Sequence, residues 1–254
     1  MIDLRDRLSL STIVAGASEL AREYGLGLEI SEFCTAFNMD IEFEMWDSRV
    51  KRETRDVDRL FFHAPFNELC PAAVDPLVAD VAKMRYRQAY TLMRGYGSDT
   101  MIVHSGYLPS LYSYDWFISH SIDFWKEFLC TKPNDFKLCI ENVFEQKPKL
   151  LNEIVREVND ERFKLCFDVG HAAVFSDGVT LTEWAEHAAP FIAHVHLHNN
   201  DGSHDAHDAL GDGISDIAAV IRKISELASE ATFTIETIDL EPSLSWLNTN
   251  GFLL

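Results

Sequence analysis

The feature that most restricts the fold of this chain is a regular alternation between short apolar runs and longer amphipathic segments. Between the runs, apolar residues repeat every three or four positions, as they do on one face of a helix. Eight β-then-α units in a chain of 254 residues predict an α/β fold, the (β/α)8 TIM barrel. The strand candidates are RLSLS, LGLEIS, RLFFHAPF, TMIVHSG, KLCIENV, KLCFDVG, FIAHVHLH and TFTIETI.

No linker interrupts this alternation, so we expect a single domain over residues 1–254. No stretch rich in Pro, Gly or Ser divides the chain, and no close internal repeat is present. The longest irregular segment is 36–59, which follows the second strand candidate. Its mixed charges favour a solvated helix or turn over a lid.

Composition excludes several classes of function. A net charge of −19, from 41 acidic and 22 basic residues, disfavours nonspecific binding to nucleic acid or to anionic membranes. No apolar run approaches the roughly 20 residues of a membrane span, and the charged start MIDLRDRLSL does not resemble a signal peptide. The five cysteines include no CxxC pair, and Cys139 and Cys166 are expected as buried thiols. We therefore expect a cytoplasmic protein without a membrane partner.

Polar side chains follow the strand candidates at the end where barrel enzymes build their active sites. His63 and His104 close the third and fourth candidates, Glu141 and Asp168 the fifth and sixth, and Glu236 the eighth. A single histidine at a strand end is more often a structural residue. The two carboxylates are different, because a buried carboxylate is costly without a cation and no strand end supplies Lys or Arg. A metal ion would satisfy both.

The segment HVHLHNNDGSHDAH, residues 194–207, is rich in ligand-type side chains. Five of the ten histidines of the chain fall within it, together with two aspartates. His194, His196 and His198 share one face of the seventh strand candidate because strand side chains alternate. His194 lies deepest and is expected to fill the barrel interior. Imidazole and carboxylate are the usual protein ligands of zinc and manganese, so the segment indicates a metal site.

Six motifs of the sequence resemble those of the xylose-isomerase-like barrel superfamily, which contains endonuclease IV and sugar isomerases and epimerases. HAPF, VHSG, IEN, FDVGHA, HLHNNDGSHDAH…LGDG and IET occur in that order on successive strand candidates. The resemblance implies up to three zinc ions, with Glu141 bridging two of them. It implies nine ligands: His63, His104 and Glu141 for the first metal; Glu141, Asp168, His196 and Glu236 for the second; His171, Asp205 and His207 for the third. His198 is the alternative to His196.

The resemblance leads to two hypotheses of function. Three zinc ions against four carboxylates leave a site charge of about +2, which suits hydrolysis of a phosphoester. Three of the expected mouth loops, APFNELCPAAVDP, SGYLPSLYSYDW and NNDGSHDAHDALGDG, contain no Lys or Arg, although NVFEQKPK supplies two lysines and DSRVKRETRDVDR supplies basic residues matched by acids. We therefore expect a small phosphoester rather than duplex DNA as the substrate. The alternative is an isomerase or epimerase of a sugar or sugar phosphate with one Mn or Mg ion, in which Glu141 and Glu236 move a carbon-bound proton. Hydrolysis is placed first because a single metal does not need His63, His104, Asp205 or His207 as ligands.

Aromatic residues of the mouth loops extend the sugar hypothesis. Trp46, Phe66, Tyr107 and Trp116 are expected to lie where they could stack on a sugar ring. A third hypothesis is a barrel that stores metal without catalysis. The sequence does not indicate an oligomeric state.

Overall fold

Each strand pairs in parallel with its neighbour in sequence, and the eighth pairs back with the first. The computed structural model, which describes residues 2–253, therefore contains a closed eight-stranded barrel. The (β/α)8 fold expected from the sequence is confirmed. The strands are β1 (Leu8–Ser11), β2 (Gly27–Ile30), β3 (Leu60–His63), β4 (Thr100–His104), β5 (Lys137–Glu141), β6 (Phe163–Asp168), β7 (Ile192–Leu197) and β8 (Thr232–Ile235).

Helices cover the outside of the barrel, and their first turns carry the expected capping residues. The Asp75 side chain accepts a hydrogen bond from the Leu77 N–H where α4 begins, and Thr180 and Glu183 form a capping box where α8 begins. No helix in residues 2–253 is long and apolar enough to cross a membrane. The helices are α1 (Ala17–Tyr24), α2 (Ala36–Asp40), α3 (Phe43–Glu53), α4 (Pro76–Gly95), α5 (Tyr114–Leu129), α6 (Lys149–Val158), α7 (Val169–Phe175), α8 (Leu181–Ala188), α9 (Ile217–Leu227) and α10 (Leu240–Thr249).

The segment 36–59 forms the two helices α2 and α3. The charged helix α3 buries Val50 and leaves most of its other side chains at least partly exposed, in agreement with the expected solvated helix. The first helix begins at Ala17, directly after Gly16, which adopts a left-handed conformation with φ of 89°. Residues 12–16 therefore form a loop after β1, and this loop carries Ile13 to the barrel mouth.

Inside the barrel, a layer of apolar side chains lies next to a layer of polar side chains. Phe61, Ile102, Cys139 and Cys166 form a buried cluster that is separate from the main core. On each of these four strands a polar residue follows two positions later: His63, His104, Glu141 and Asp168. Because strand side chains alternate, each of these polar residues shares the interior face with an apolar residue of its own strand. Cys139 and Cys166 are free, buried thiols, as expected.

Candidate metal centre

The structure gathers the nine candidate ligands at the carboxyl ends of the strands. Four of them are the last residues of their strands, and His196 stands one residue before the end of β7. Glu236 follows β8 directly, and His171 lies in the first turn of α7. Asp205 and His207 lie in the loop between β7 and α9.

Glu141 lies at the centre of this group and is almost fully buried. Its Oε2 atom is 3.3 Å from His63 Nε2, 3.7 Å from His104 Nε2 and 3.5 Å from His196 Nδ1. Its Oε1 atom is 3.2 Å from His171 Nδ1. One carboxylate thus contacts four histidines from four different strand ends.

His196 faces three carboxylates with the same ring nitrogen. Its Nδ1 atom is 3.4 Å from Glu236 Oε2, 3.5 Å from Glu141 Oε2 and 3.7 Å from Asp168 Oδ2. The side chain is fully buried, and among the described residues neither ring nitrogen has a partner in hydrogen-bond geometry. A buried nitrogen that faces three carboxylate oxygens without a hydrogen bond has the surroundings of a metal ligand.

A third group forms around Asp205. Its Oδ2 atom is 3.2 Å from His171 Nε2 and 3.1 Å from His207 Nε2. The His198 ring stacks on the His207 ring with centroids 3.9 Å apart, and His198 Nε2 is 3.0 Å from Asp168 Oδ1. His198 therefore lies beside the third group, whereas His196 lies in the central one.

Backbone contacts orient three of the histidines for ligation. The Nδ1–H groups of His63, His171 and His207 donate to the carbonyl oxygens of Ala64, Asn142 and Glu236, at 2.9, 2.9 and 2.6 Å. A hydrogen bond at Nδ1 fixes the tautomer in which Nε2 carries the free lone pair. In all three residues Nε2 faces a carboxylate of the centre, and in His171 the Nδ1 atom also lies 3.2 Å from Glu141 Oε1.

Local backbone features hold the loop that carries His207. His207 adopts a left-handed conformation with φ of 52°, which is uncommon for a residue with a side chain. The Ile238 N–H donates to the His207 carbonyl at 2.9 Å, and Asn199 and Asp208 form an isolated bridge. Such conformations persist where the surroundings enforce them, and they concentrate at functional sites.

Burial and ion pairing shift the pKa values of these groups in opposite directions. Burial raises the pKa of Glu141 and Asp168, but the surrounding histidines outweigh it and hold both pKa values well below their usual range. Burial lowers the pKa of His171 and His196, but neighbouring acidic groups raise both pKa values well above their usual range. Burial lowers the pKa of His104 to about 3, so this ring is neutral and can ligate. A cation bound here would displace protons from the other rings.

Two buried carboxylates of the site region were missed by sequence reasoning. Glu29 lies inside the barrel, where its Oε1 atom is 3.2 Å from His196 Nε2 and its Oε2 atom is 3.1 Å from His194 Nε2. Glu145 accepts hydrogen bonds from the Ser105 hydroxyl and from the Val143 N–H. The only signal for Glu29 was its register, which places it on the interior face of an otherwise apolar strand.

A cavity of about 1330 Å³ opens above the centre. Glu141 and Glu236 border it, while Asp168 and His196 lie behind them. His63, His104, His171, Asp205 and His207 also belong to its polar lining. Within residues 2–253, no Lys or Arg lines this cavity, which agrees with the composition of the mouth loops.

The structure corrects two of the four aromatic residues expected at the mouth. Phe66 and Tyr107 line the cavity, and the Phe66 ring stacks on His104 with centroids 4.2 Å apart. Trp46 and Trp116 do not line it. The Trp46 indole donates to Glu42, the residue that precedes α3, and the Trp116 indole donates to the Ala72 carbonyl, so packing directs both rings elsewhere.

The donor set fits divalent metal ions. Among the described residues, five groups have ligand atoms that all lie within 4.8 Å of one another: His63 with His104 and Glu141; His63 with Glu29, His196 and Glu236; His171 with His198, Asp205 and His207; Glu141 with Asp168 and His171; and Glu141 with Cys166 and His196. Nitrogen and carboxylate donors in such groups suit zinc or manganese. The unpartnered ring nitrogens of His196 provide an independent reason to expect a cation.

Comparison with known proteins agrees with the barrel fold. The sequence profile of the family described as xylose isomerase-like TIM barrel matches residues 6–250. An uncharacterized protein from Methanocaldococcus jannaschii is 27% identical over 193 residues, and the match spans 72% of this chain and 65% of that relative. A solved D-tagatose 3-epimerase-like protein superposes with a TM-score of 0.75 at 23% identity, over 96% of both chains. A protein from Thermus thermophilus, solved after soaking with ZnCl2, gives 0.74 at 24% identity, again over 96% of both chains.

Proposed function

Since the chain belongs to the xylose isomerase-like TIM-barrel family, we propose that it is a divalent-metal-dependent isomerase or epimerase of a small sugar. One observation carries the proposal. Glu141 and Glu236 border the cavity next to the buried His196, in a wall that has no Lys or Arg among the described residues. The likeness to a D-tagatose 3-epimerase-like protein supports the same class of reaction. We therefore prefer the isomerase or epimerase hypothesis, which the sequence had placed second, to phosphoester hydrolysis.

In this proposal Glu141, Asp168, His196 and Glu236 hold the catalytic cation. When bound, it polarises a sugar carbonyl and acidifies the proton on the neighbouring carbon. One divalent ion against three carboxylates leaves a site charge of about −1, or about 0 when Glu236 carries its proton, and both values suit an uncharged sugar better than an anion. His196 is preferred to His198 because its Nδ1 atom faces all three carboxylates, at 3.4 to 3.7 Å.

The two cavity carboxylates differ in proton affinity, as a base and an acid should. Burial and the nearby Glu29 charge raise the pKa of Glu236, although His196 opposes the rise. The pKa of Glu141 is lowered because His196 and His104 outweigh the effect of burial. Glu141 therefore accepts the carbon-bound proton and Glu236 supplies one to the opposite face or to the adjacent carbon.

Replacing each carboxylate by its amide tests these roles. We expect Glu141→Gln and Glu236→Gln to lower turnover of a responsive ketose at least about 100-fold, the usual loss when a general base is removed. Glu19→Gln is the matched control, because that side chain is 73% exposed on α1. Turnover near the wild-type value in both cavity variants would exclude Glu141 and Glu236 as the proton-transfer pair.

Phosphoester hydrolysis with up to three zinc ions is the second candidate function. The observation in its favour is that His63 and His104 flank Glu141 on one side while His171, Asp205 and His207 converge on the other. A single-metal isomerase does not require these five residues as ligands. In the hydrolase, His207→Ala removes about one metal per chain and abolishes cleavage of a generic phosphodiester. In the isomerase, metal content is unchanged and sugar turnover falls only roughly 10- to 100-fold.

A further inference from the structure

The cavity above the centre is larger than a free sugar requires. Its volume of about 1330 Å³ exceeds the roughly 300–1,000 Å³ usual for pockets that enclose drug-sized ligands. A monosaccharide is smaller than such ligands. The cavity therefore leaves room beside the ring that reacts at Glu141 and Glu236.

The polar and apolar parts of the cavity are separated. The histidines and most carboxylates of the lining belong to the metal centre, whereas the rest of the wall is largely apolar, with the exposed Asn67 and Glu68 as its main polar exceptions. Apolar residues reach the wall from several different strand ends: Ile13 after β1, Phe66 after β3, Leu108 after β4, Phe144 after β5 and Ile238 after β8. A substrate bound at the floor is therefore surrounded by apolar side chains above it.

Two of these side chains are unusually exposed for isoleucine. Ile13 is 62% exposed and Ile238 is 70% exposed, and both line the cavity. On the opposite part of the wall, the rings of Phe144 and Phe175 meet edge to face with centroids 4.9 Å apart. Exposed apolar side chains and a firmly placed aromatic pair at the rim of one cavity are the usual lining of a site for an apolar group.

We propose that the substrate is a keto-sugar with an apolar substituent, such as an alkyl or aryl glycoside that also carries a ketone on its ring, rather than a sugar phosphate; simple alkyl glucosides are its unreactive analogues. The inference rests on the proposed function for the position of the sugar, at Glu141 and Glu236. The substituent lies against Ile13, Ile238 and the Phe144–Phe175 pair and takes no part in the chemistry. A phosphate group would meet no Lys or Arg among the described lining residues, because none is present.

A series of alkyl β-D-glucopyranosides tests the apolar part of the site. The methyl, butyl and hexyl glucosides are titrated calorimetrically into the metal-loaded protein below their micelle concentrations. If the chain is buried against the wall, Kd falls about two- to fourfold for each added methylene. The same Kd for the methyl and hexyl compounds would overturn the proposal.

Matched variants identify the side chains that cause the dependence of Kd on alkyl chain length. Ile13→Ser and Ile238→Ser change exposed side chains of the wall, so the fold is retained, and both should flatten the dependence on chain length. Leu77→Ser is the control, because Leu77 is 71% exposed on α4 and lies outside the cavity lining. The inference is wrong if Leu77→Ser flattens the series as much as the wall variants do. It is also wrong if Ile13→Ser alters the oligomeric mass instead, because the wall would then contact a second copy.

The outcomes separate this inference from the proposed function. A protein that isomerises or epimerises free sugars but binds all glucosides equally would retain the proposed function and contradict the apolar subsite. A protein that shows the chain-length dependence but moves no proton in any sugar would retain the apolar subsite and contradict the proposed function.

Discussion

Replacing Glu29 tests whether a buried carboxylate inside the barrel controls the tautomer of the candidate ligand His196. Its carboxylate is fully buried, accepts a hydrogen bond from the Thr234 hydroxyl at 2.7 Å and lies 3.2 Å from His196 Nε2. The opposite nitrogen of His196, Nδ1, is the one that faces Glu141, Asp168 and Glu236. We predict that Glu29 keeps the proton of His196 on Nε2 and so leaves Nδ1 free to ligate.

The size of the effect follows from the contact that Glu29→Gln changes. The amide keeps the shape of the side chain but replaces a charge-assisted contact by a neutral one. The free energies of a charge-assisted and a neutral contact differ by about 1–2 kcal/mol. This difference corresponds to metal binding that is roughly 5- to 30-fold weaker. The range overlaps the roughly 10- to 100-fold losses typical when a partner of a metal-ligating histidine is replaced.

The assay is a competitive titration of Zn²⁺ between the protein and a chelating dye of known affinity. Glu32→Gln is the control, because Glu32 is also a buried carboxylate but pairs with Arg49 and Thr12 rather than with a histidine. We expect weaker zinc binding in Glu29→Gln and unchanged binding in Glu32→Gln. Equal Kd values for wild type and Glu29→Gln would refute the reasoning.

Three further predictions concern the surroundings of the centre. Burial lowers the pKa of His207, but Asp205 and Glu236 outweigh it and raise the pKa to about 9. Metal and protons therefore compete, and we expect metal affinity, measured by titration, to rise with pH up to about 9 and release protons. Burial raises the pKa of Glu145 to about 7, so its contribution to stability is complete below about pH 4.5 and is lost as pH rises through 7. The melting temperature of Glu145→Gln should consequently vary less between pH 5 and pH 8 than that of wild type. A Cβ at Gly170 would overlap the His198 ring, so Gly170→Ala should displace that ring and lower the melting temperature, whereas Gly95→Ala, where a Cβ meets open space, should not.

The strand ends were predictable because two simple rules act together there. Side chains alternate along a strand, and the carboxyl ends of parallel strands meet at one mouth. Glu141 and Asp168 could therefore be placed on the same interior face from sequence alone. The choice between His196 and His198 needed coordinates, because the two residues share a strand face and differ only in depth.

Other parts of the site depend on contacts that local sequence does not encode. Glu29 resembles any glutamate in a half-buried strand, and only barrel closure brings it to His194 and His196 from a distant part of the chain. Trp46 and Trp116 were expected in the mouth because their loops lie there, but their indole N–H groups find partners in neighbouring helices and loops. The sequence thus predicts where a loop lies, but it does not predict in which direction the side chains of that loop point.

Proton exchange in deuterium oxide is the most direct test of the proposed reaction. The wild-type protein is incubated in D2O with Mn²⁺ or Zn²⁺ and a panel of ketoses and 3-keto-glucosides, and each sugar is analysed by mass spectrometry. The account predicts that at least one sugar gains deuterium at the carbon next to its carbonyl, and that chelation of the metal or Glu141→Gln abolishes the gain. Hydrolysis of a generic phosphodiester by the same preparation, with no deuterium entering any sugar of the panel, would contradict it.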